Sequence, residues 1–459
     1  MSAIVTAGEA EYAAFVALDW ADQEHAWALE VAGSGKREHG KLKQTPEAIE
    51  AWAVELATRF GGRPVAVGLE QARGALIYAL QKYSHLVLYP IHPSTSSAYR
   101  TAMFPSGGKD DPMDADLQLD LLTHHRDRLR RLQLDTEETR KLQLLTENRR
   151  QLVEERKAQT NRLTNLLKTI FPQVLKWFDA LYSPIAVAFL QRWPTLPQVQ
   201  QEDEETLRQF FHQHGSRSDS RIEKRMNEIR AAQPAIQDPA IIEPGVLMLH
   251  ALLGVITALR EGIAKLEESG ENVFAAHPDA AIFTSFPGAG AVLAPRLLVA
   301  FGTRRDRWNS VEEFQPYTGI PPITVRSGKS EWIHFRWGCS KFLRQSFHEF
   351  AEQSILQSEW AREFHHHQRE VKKLDHHAAV RSLAYKWQRI LFACWKNGTP
   401  YQESFHQERL LTRHATQSQP KPAAGQGKGK TPKRTGSSNP VAFQFKKVAG
   451  FSKLSDATS

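Results

Sequence analysis

The order of strand and helix patterns near the start of the chain constrains the fold more than any other feature. Residues 15–20 form a near-continuous apolar run, which predicts a strand buried on both faces. The elements predicted after it are strands at 25–31 and 36–42, a helix at 45–60 with Thr45 as its N-cap, a strand at 64–70, a helix around 74–83 and a strand at 86–91. Three consecutive strands followed by βα units predict a mixed sheet with helices packed on it.

Composition narrows the class of protein without deciding its function. A chain of 459 residues, 41% hydrophobic and 24% charged, predicts two or three globular domains. It has two cysteines, which favours a reducing cytosol over a disulfide scaffold. We find no run of 18 or more apolar residues and no secretory signal pattern, so we expect no membrane span. The net charge of +8 suits a polyanionic partner but also suits many soluble proteins.

Two long helices are predicted in the middle of the chain, the first at 136–171. Its apolar residues fall on a and d heptad positions, and a cleaner heptad run follows later: Leu249, Leu252, Ile256, Leu259, Ile263 and Leu266. This spacing predicts either a coiled coil between protomers or a helical hairpin within one chain. We divide the chain into domains at 1–132, 133–277 and 278–405, with a basic tail at 406–459 whose composition predicts disorder.

Four carboxylates, at two predicted strand ends and at the start of a predicted helix, occupy positions that suit the metal site of a nuclease. Asp19 ends the first strand on the face shared by Phe15 and Ala17, and Glu70 ends the strand at 64–70. Asp111 and Asp114 are three residues apart at the start of a helix, and therefore on one helical face. Oxygen ligands of this kind suit Mg²⁺ or Mn²⁺, and two such ions would serve phosphodiester cleavage.

Each acid also has a purely structural interpretation. Asp111 before Pro112 is a good N-cap with proline at N1, and Asp114 completes the first turn. Acidic residues at strand ends are often simply solvated. The four acids in this order, on this pattern of elements, favour the metal-site hypothesis.

Two further segments, in the region 278–405, contain candidate DNA-contacting residues. Gly288 and Gly290 form a tight turn before a helix, which either presents amides to a phosphate or is an ordinary turn. Ser327 lies between Arg326 and Gly328, with Lys329 next, so a nucleophilic serine among cations is one interpretation and a turn serine is the other.

These motifs together resemble the DEDD transposases of bacterial insertion sequences, the insertion sequence 110 family, which includes the pilin-gene invertase and RNA-guided recombinases. The resemblance covers residues from about 13 to 403. It is carried by FVALDW, VAVGLE, KDDPMDA, FPGAGAVLAPRLLVAFG, YTGIPP, the VRSG serine, the helix FRWGCSKFLRQSFHEFAEQSI and the ending KLDHHAAVRSLAYKWQRILFACWKNGTPY.

The resemblance implies a RuvC-like, RNase H-fold domain joined by a coiled coil to a smaller, mainly helical, serine-bearing domain. Asp19, Glu70, Asp111 and Asp114 would hold Mg²⁺, and Ser327 would form a transient phosphoserine link to DNA. Partners implied are the element ends and target DNA, a second copy of the chain in a homodimer or homotetramer, and by analogy alone an RNA from the element. The expected location is the bacterial cytoplasm, on the nucleoid.

The sequence departs from the family pattern in two places, and two other functions compete with a recombinase. The stretch Gln71-Ala72-Arg73-Gly74 is longer than usual for the family, which puts that loop in doubt, and the basic tail is not a family feature. A RuvC-like nuclease would use metal-bound water and need no serine. A nucleic-acid-binding scaffold would not need all four carboxylates, so the sequence favours the recombinase.

Overall fold

The computed structural model describes residues 12–70, 73–104, 111–328 and 330–404. The chain divides into two compact units, Met1–Leu134 and Asp135–Ser459. The predicted basic tail at 406–459 lies outside the described residues. The further division of the second unit at residue 277 stays a prediction.

The first unit is built on a five-stranded mixed sheet in the order β3-β2-β1-β4-β5. Its strands are β1 (Ala14–Asp19), β2 (Glu24–Val31), β3 (Arg37–Lys43), β4 (Val65–Leu69) and β5 (Leu86–Pro90). Its helices are α1 (Pro46–Arg59), α2 (Ala75–Leu80), α3 (Pro93–Met103) and α4 (Asp111–His124), followed by a short 3-10 turn at Arg126–Arg128. Strands β1 to β3 pair antiparallel, whereas β1, β4 and β5 pair parallel. The predicted element order is confirmed, and the sheet is consistent with an RNase H-like domain.

Both faces of the sheet are covered, as the apolar run in β1 predicted. Val16 and Leu18 belong to a core that includes Trp52 and Leu56 of α1. On the opposite face Ala17 packs with buried residues of α4. The Thr45 side chain accepts a hydrogen bond from the Ala48 amide and starts α1 as predicted. Helix α4 is therefore held directly over β1.

The second unit is mainly helical. Its described helices are α5 (Glu137–Ile170), α6 (Val174–Trp177), α7 (Pro184–Arg192), α8 (Leu196–Gln200), α9 (Glu204–Gln213), α10 (Asp219–Ala231), α11 (Pro239–Ala275), α12 (Ala280–Thr284), α13 (Gly290–Phe301), α14 (Val311–Thr318), α15 (Lys341–Gln357), α16 (Glu359–Glu370) and α17 (His376–Asn397). Two strands, β6 (Ile323–Ser327) and β7 (Ser330–His334), form a separate antiparallel hairpin. We had not predicted this hairpin.

The long helices α5 and α11 pack against each other and connect two hydrophobic cores. Near one end of α5, Leu142 belongs to a core built mainly from residues between 282 and 401. Near the other end, Leu163 belongs to a core built from α6 to α11. The predicted heptad residue Leu249 is fully buried, and the helix pair lies within one chain. A coiled coil between protomers stays a prediction.

Helix α11 has the length and composition of a membrane span, although we expected no such segment. An 18-residue window within it has a mean hydropathy of 1.8. Polar residues such as Glu243 and His250 interrupt the apolar sequence of this helix, so it contains no unbroken apolar run of 18 residues. The helix contributes Leu249, Leu253 and Ile256 to a hydrophobic core, although only 28% of that window is buried within the described structure.

A buried charge network ties three helices of the second unit together. Arg296 of α13, only 3% exposed, donates to Glu349 of α15 at 2.6 Å and to the Ser346 hydroxyl at 2.9 Å. Arg150 of α5 donates to the same Glu349 at 3.1 Å. Burial lowers the pKa of Arg296, and the Glu349 carboxylate counteracts that effect. The network fixes α13 and α15 to the first half of α5.

Candidate active-site residues

Asp19 and Glu70 follow neighbouring parallel strands at the same edge of the sheet. The register pairs Leu18 of β1 with Leu69 of β4, so the two acids come at the same level immediately after that pair. Alternation along β1 places Asp19 on the α4 face together with Phe15 and Ala17, as predicted. Ligand sites of α/β sheets commonly form at the carboxyl ends of parallel strands.

Helix α4 brings a third carboxylate to this edge. Asp114 is 3% exposed and Gln118, one turn later, is 1% exposed. The Gln118 side-chain amide donates to Asp19 Oδ1 at 3.0 Å. Gln118 therefore links the helix that carries Asp114 to the strand that carries Asp19.

Asp114 forms an ion pair with Arg100 of α3. The carboxylate side chain is 4% exposed and the guanidinium side chain is 26% exposed, so the pair is largely removed from water. Among the described residues, no donor makes a hydrogen bond to Gln118 Oε1, whereas Asp114 Oδ1 contacts Nη2 of Arg100 in the ion pair. The buried Gln118 oxygen, one turn from Asp114, thus retains unused acceptor capacity, which a cation would satisfy.

The other face of α4 explains why only some of its acids turn inward. Asp116 accepts from His39 Nε2 at 3.0 Å and from Arg37 at 3.3 Å, and Asp120 also pairs with Arg37. Burial alone would lower the pKa of Arg37, but the hydrogen bond and charge of Asp120, with Asp116, raise it above its usual value. These outer ion pairs between β3 and α4 fix the rotation of the helix.

The predicted acids whose side chains the structure describes do not form a complete metal centre. Asp111 is the first residue of α4, and its side chain lies outside the described part of the structure. Within the described residues, no group of three or more His, Cys, Asp or Glu side chains is placed to hold a metal ion. The structure brings Asp19 and Asp114 to one end of the sheet through Gln118, and the remaining assignments stay predictions.

Ser327 is the last residue of β6, at the turn of the exposed hairpin. Its partner across the hairpin is Ser330, and Gly328 adopts a φ of +57°, which suits the tight turn between them. Arg326 donates from Nε to Glu331 Oε2 at 2.9 Å. Lys329 lies outside the described residues. The serine therefore stands at an exposed strand end beside a paired cation.

The glycine turn before α13 packs closely against α15. The Gly288 amide donates to Gln357 Oε1 at 2.9 Å, and a Cβ at this glycine would lie 2.8 Å from backbone atoms of Gln353 and Ser354. Gly290 also has a positive φ, +52°, but nothing described lies within 4 Å of its Cβ position. Close packing thus requires Gly288, and its role in binding phosphate stays a prediction.

Comparison with known proteins identifies the family. A family model described as "Transposase", for the DEDD domain of IS110 transposases, matches residues 16–172, and one described as "Transposase IS116/IS110/IS902 family" matches residues 280–366. Together they match more than half of the chain. The chain belongs to the IS110 transposase family.

Curated relatives agree with this assignment over most of their length. The "mini-circle putative transposase for IS117" of Streptomyces coelicolor is 26% identical over 80% of this chain and 89% of its own. An IS110 protein of the same species, described as uncharacterized, is 24% identical over 78% of this chain and 89% of its own. An IS116 protein of Streptomyces clavuligerus, likewise uncharacterized, is 24% identical over 81% and 92%. This transposase is thus similar to mobile-element proteins over about four fifths of its length.

Sequence reasoning missed three features of these sites. Gln118 follows Asp114 by four residues, and this spacing could have identified it as a neighbour on the same helix face. Arg100 gave no signal, because its contact with Asp114 depends on how α3 packs on α4. The hairpin could have been found from the alternation in ITVRS and SEWIH around a two-residue turn.

Proposed function

We propose that this transposase cleaves and rejoins insertion-sequence DNA with a metal-assisted acidic site and Ser327 as nucleophile. The metal-assisted part of this proposal is carried by Asp19 and Asp114 at the carboxyl end of the parallel strands. Gln118, one turn after Asp114, donates a hydrogen bond to Asp19 and so links the two elements. The unused acceptor on Gln118 and the buried Asp114 carboxylate fit a hard divalent cation. The assignment of Ser327 as nucleophile is supported by the matched family domain and by the exposed position of this serine.

Asp19, Glu70, Asp111 and Asp114 would hold Mg²⁺, or Mn²⁺ in its place. The bound ion supplies Lewis-acid stabilisation of charge on phosphate oxygens. Gln118 orients Asp19, and Arg100 balances the charge of Asp114 inside the protein. The unused Gln118 oxygen and the buried Asp114 carboxylate therefore support a metal site, and the ion and its ligand geometry are part of the proposal.

In the cleavage step, the Ser327 hydroxyl oxygen forms a bond to phosphorus and the bond from phosphorus to a deoxyribose oxygen breaks. The serine loses its proton, and the departing deoxyribose oxygen gains one. In the joining step, a deoxyribose hydroxyl of another strand attacks the phosphoserine and returns the serine hydroxyl. The number of phosphodiester bonds is conserved, so no external energy source is required.

The partners follow from this chemistry. Element ends and target DNA are substrates, and two or four copies of the chain would bring them together. A guide RNA from the element is included only by analogy with the family. The proposed location is the cytoplasm, on nucleoid DNA.

A covalent trapping assay tests the proposal. The full chain is incubated with its element-end DNA, Mg²⁺ and co-expressed RNA, then denatured and examined for a DNA-linked protein band. We expect a band with the native protein, none with Ser327→Ala, and none with Asp114→Asn. Cleavage without a protein–DNA adduct would instead support a nuclease that uses water.

A further inference from the structure

The β6–β7 hairpin exposes apolar side chains on a sheet with only two strands. All five residues of β6 and four of the five in β7 are exposed. Val325 is 43% exposed and Trp332 is 49% exposed. A two-stranded hairpin is marginally stable alone in water, and exposed tryptophan is costly to solvate, so this surface suits a partner.

The strand register places these apolar side chains on the same face as Ser327. Val325 pairs with Trp332, and Ser327 pairs with Ser330. Since side chains alternate along a strand, Val325, Ser327, Ser330 and Trp332 share one face. Arg326 and Glu331 pair with each other on the opposite face. The predicted nucleophile therefore stands beside an aromatic surface.

The charges of the surrounding segment favour a nucleic acid over an apolar protein partner. Residues 323–337 include three basic residues and one acidic residue: Arg326, Lys329, Arg336 and Glu331. Directly after the hairpin, the Phe335 ring lies under the guanidinium groups of Arg344 and Arg381, at 4.4 and 4.8 Å. Cations interleaved with aromatic rings bind phosphates and unstacked bases together.

We propose that Trp332 is a stacking platform for an unpaired base of the DNA strand on which Ser327 acts. Trp332 lies two residues along β7 from Ser330, about 7 Å, which is the rise of about two nucleotides in DNA. A base near the reacting phosphate would thus reach the ring once it has left the duplex stack. The link to the reacting strand rests on the proposed function, whereas base stacking on Trp332 does not.

Equilibrium DNA binding by the full chain tests whether Trp332 stacks an unpaired base. All variants carry Ser327→Ala, so that no covalent adduct forms. The probes are fluorescein-labelled oligothymidylate, a perfect duplex and the same duplex with a central unpaired loop. We expect Trp332→Ala to weaken binding of the oligothymidylate and the looped duplex by about 5- to 150-fold, the effect of losing one base–aromatic stack. The perfect duplex should change less than about twofold.

Two variants and a salt titration separate stacking from other causes. Trp332→Phe keeps an aromatic face and should retain most of the affinity. Tyr385→Ala removes an aromatic side chain of the same unit, 37% exposed, and should have no effect. Because Trp332 carries no charge, the salt dependence of binding should keep its slope.

Equal losses on all three probes, or no loss on any, would overturn the proposal. A change in oligomeric state with Trp332→Ala, measured by light scattering, would assign the face to a second copy of the chain and also overturn it. The trapping assay tests the serine nucleophile separately. If no adduct forms but Trp332→Ala still weakens binding, the serine nucleophile is refuted and base stacking on Trp332 is retained.

Discussion

Replacing Arg100 with methionine should destabilise the α4 end of the sheet, and a divalent cation should reverse part of the loss. The substitution keeps most of the side-chain volume but removes the charge that balances Asp114. Removing one partner of a buried ion pair typically costs about 3–5 kcal/mol. The Arg100 side chain is 26% exposed, so we expect the lower end of that range, about 3 kcal/mol.

Hydrogen exchange followed by mass spectrometry localises this effect to peptides of β1 and α4. A loss of about 3 kcal/mol predicts roughly 150-fold faster exchange of their protected amides in a chelating buffer. Adding Mg²⁺ at about 100 times its dissociation constant should restore up to about 2.7 kcal/mol. Native protein should gain less from Mg²⁺, because the ion must compete with Arg100 for Asp114.

Matched variants determine whether charge is the cause. Asp114→Asn alone should cost less than Arg100→Met, because the remaining guanidinium still contacts solvent. The double variant should be more stable than Arg100→Met alone, since no unpaired carboxylate is left buried. If amides of Arg100→Met exchange as slowly as those of the native protein, or if Mg²⁺ protects neither protein, the expectation that a metal ion competes with Arg100 for Asp114 is refuted.

Two further predictions concern the second unit. Gly288→Ala should lower the free energy of unfolding by at least about 2 kcal/mol, because the new Cβ meets the α15 backbone and the residue has a positive φ. Gly290→Ala has a positive φ without that contact and should cost only about 1 kcal/mol. Equal losses for the two variants in urea denaturation would contradict the packing argument. Burial lowers the pKa of His277, whose Nδ1 accepts from the Asp279 amide at 3.1 Å. The neutral form of His277 therefore stabilises the fold fully above about pH 6.5, the pKa of histidine in the unfolded chain. This contribution is lost as the pH falls from about 6.5 towards the lower pKa that His277 has in the folded protein. His277→Gln should flatten the dependence of stability on pH below about 6.5, and an unchanged slope would refute the assignment.

Much of the first unit could be predicted because its signals are local. The apolar run of β1, the Thr45 cap and the alternation of strands and helices each depend on a few neighbouring residues, and the structure confirms them. Asp19 and Glu70 could be placed at strand ends for the same reason. Their common edge follows from the parallel pairing of β1 with β4, which the predicted mixed sheet did not specify.

Features that depend on tertiary packing could not be predicted. Four acids lie within the first ten residues of α4, and only the packing of the helix on β1 shows that Asp114 points inward while Asp116 and Asp120 face Arg37. The contribution of Arg100 arises from the approach of α3 to α4. At Gly288, the sequence suggested a phosphate turn, and only the contact with α15 reveals the steric requirement.

The helix pair α5–α11 gives the second unit a mechanical property. Leu142 and Leu163 belong to different cores but to one helix, and their separation of 21 residues corresponds to about 32 Å along the axis. A tilt of about 10° imposed at one core would displace the other by roughly 5–6 Å over that length. Because the Arg150–Glu349–Arg296 network links α13 and α15 to α5, these three helices would move together. The transposase thus has two hydrophobic cores connected by one helix over a distance comparable to a turn of DNA.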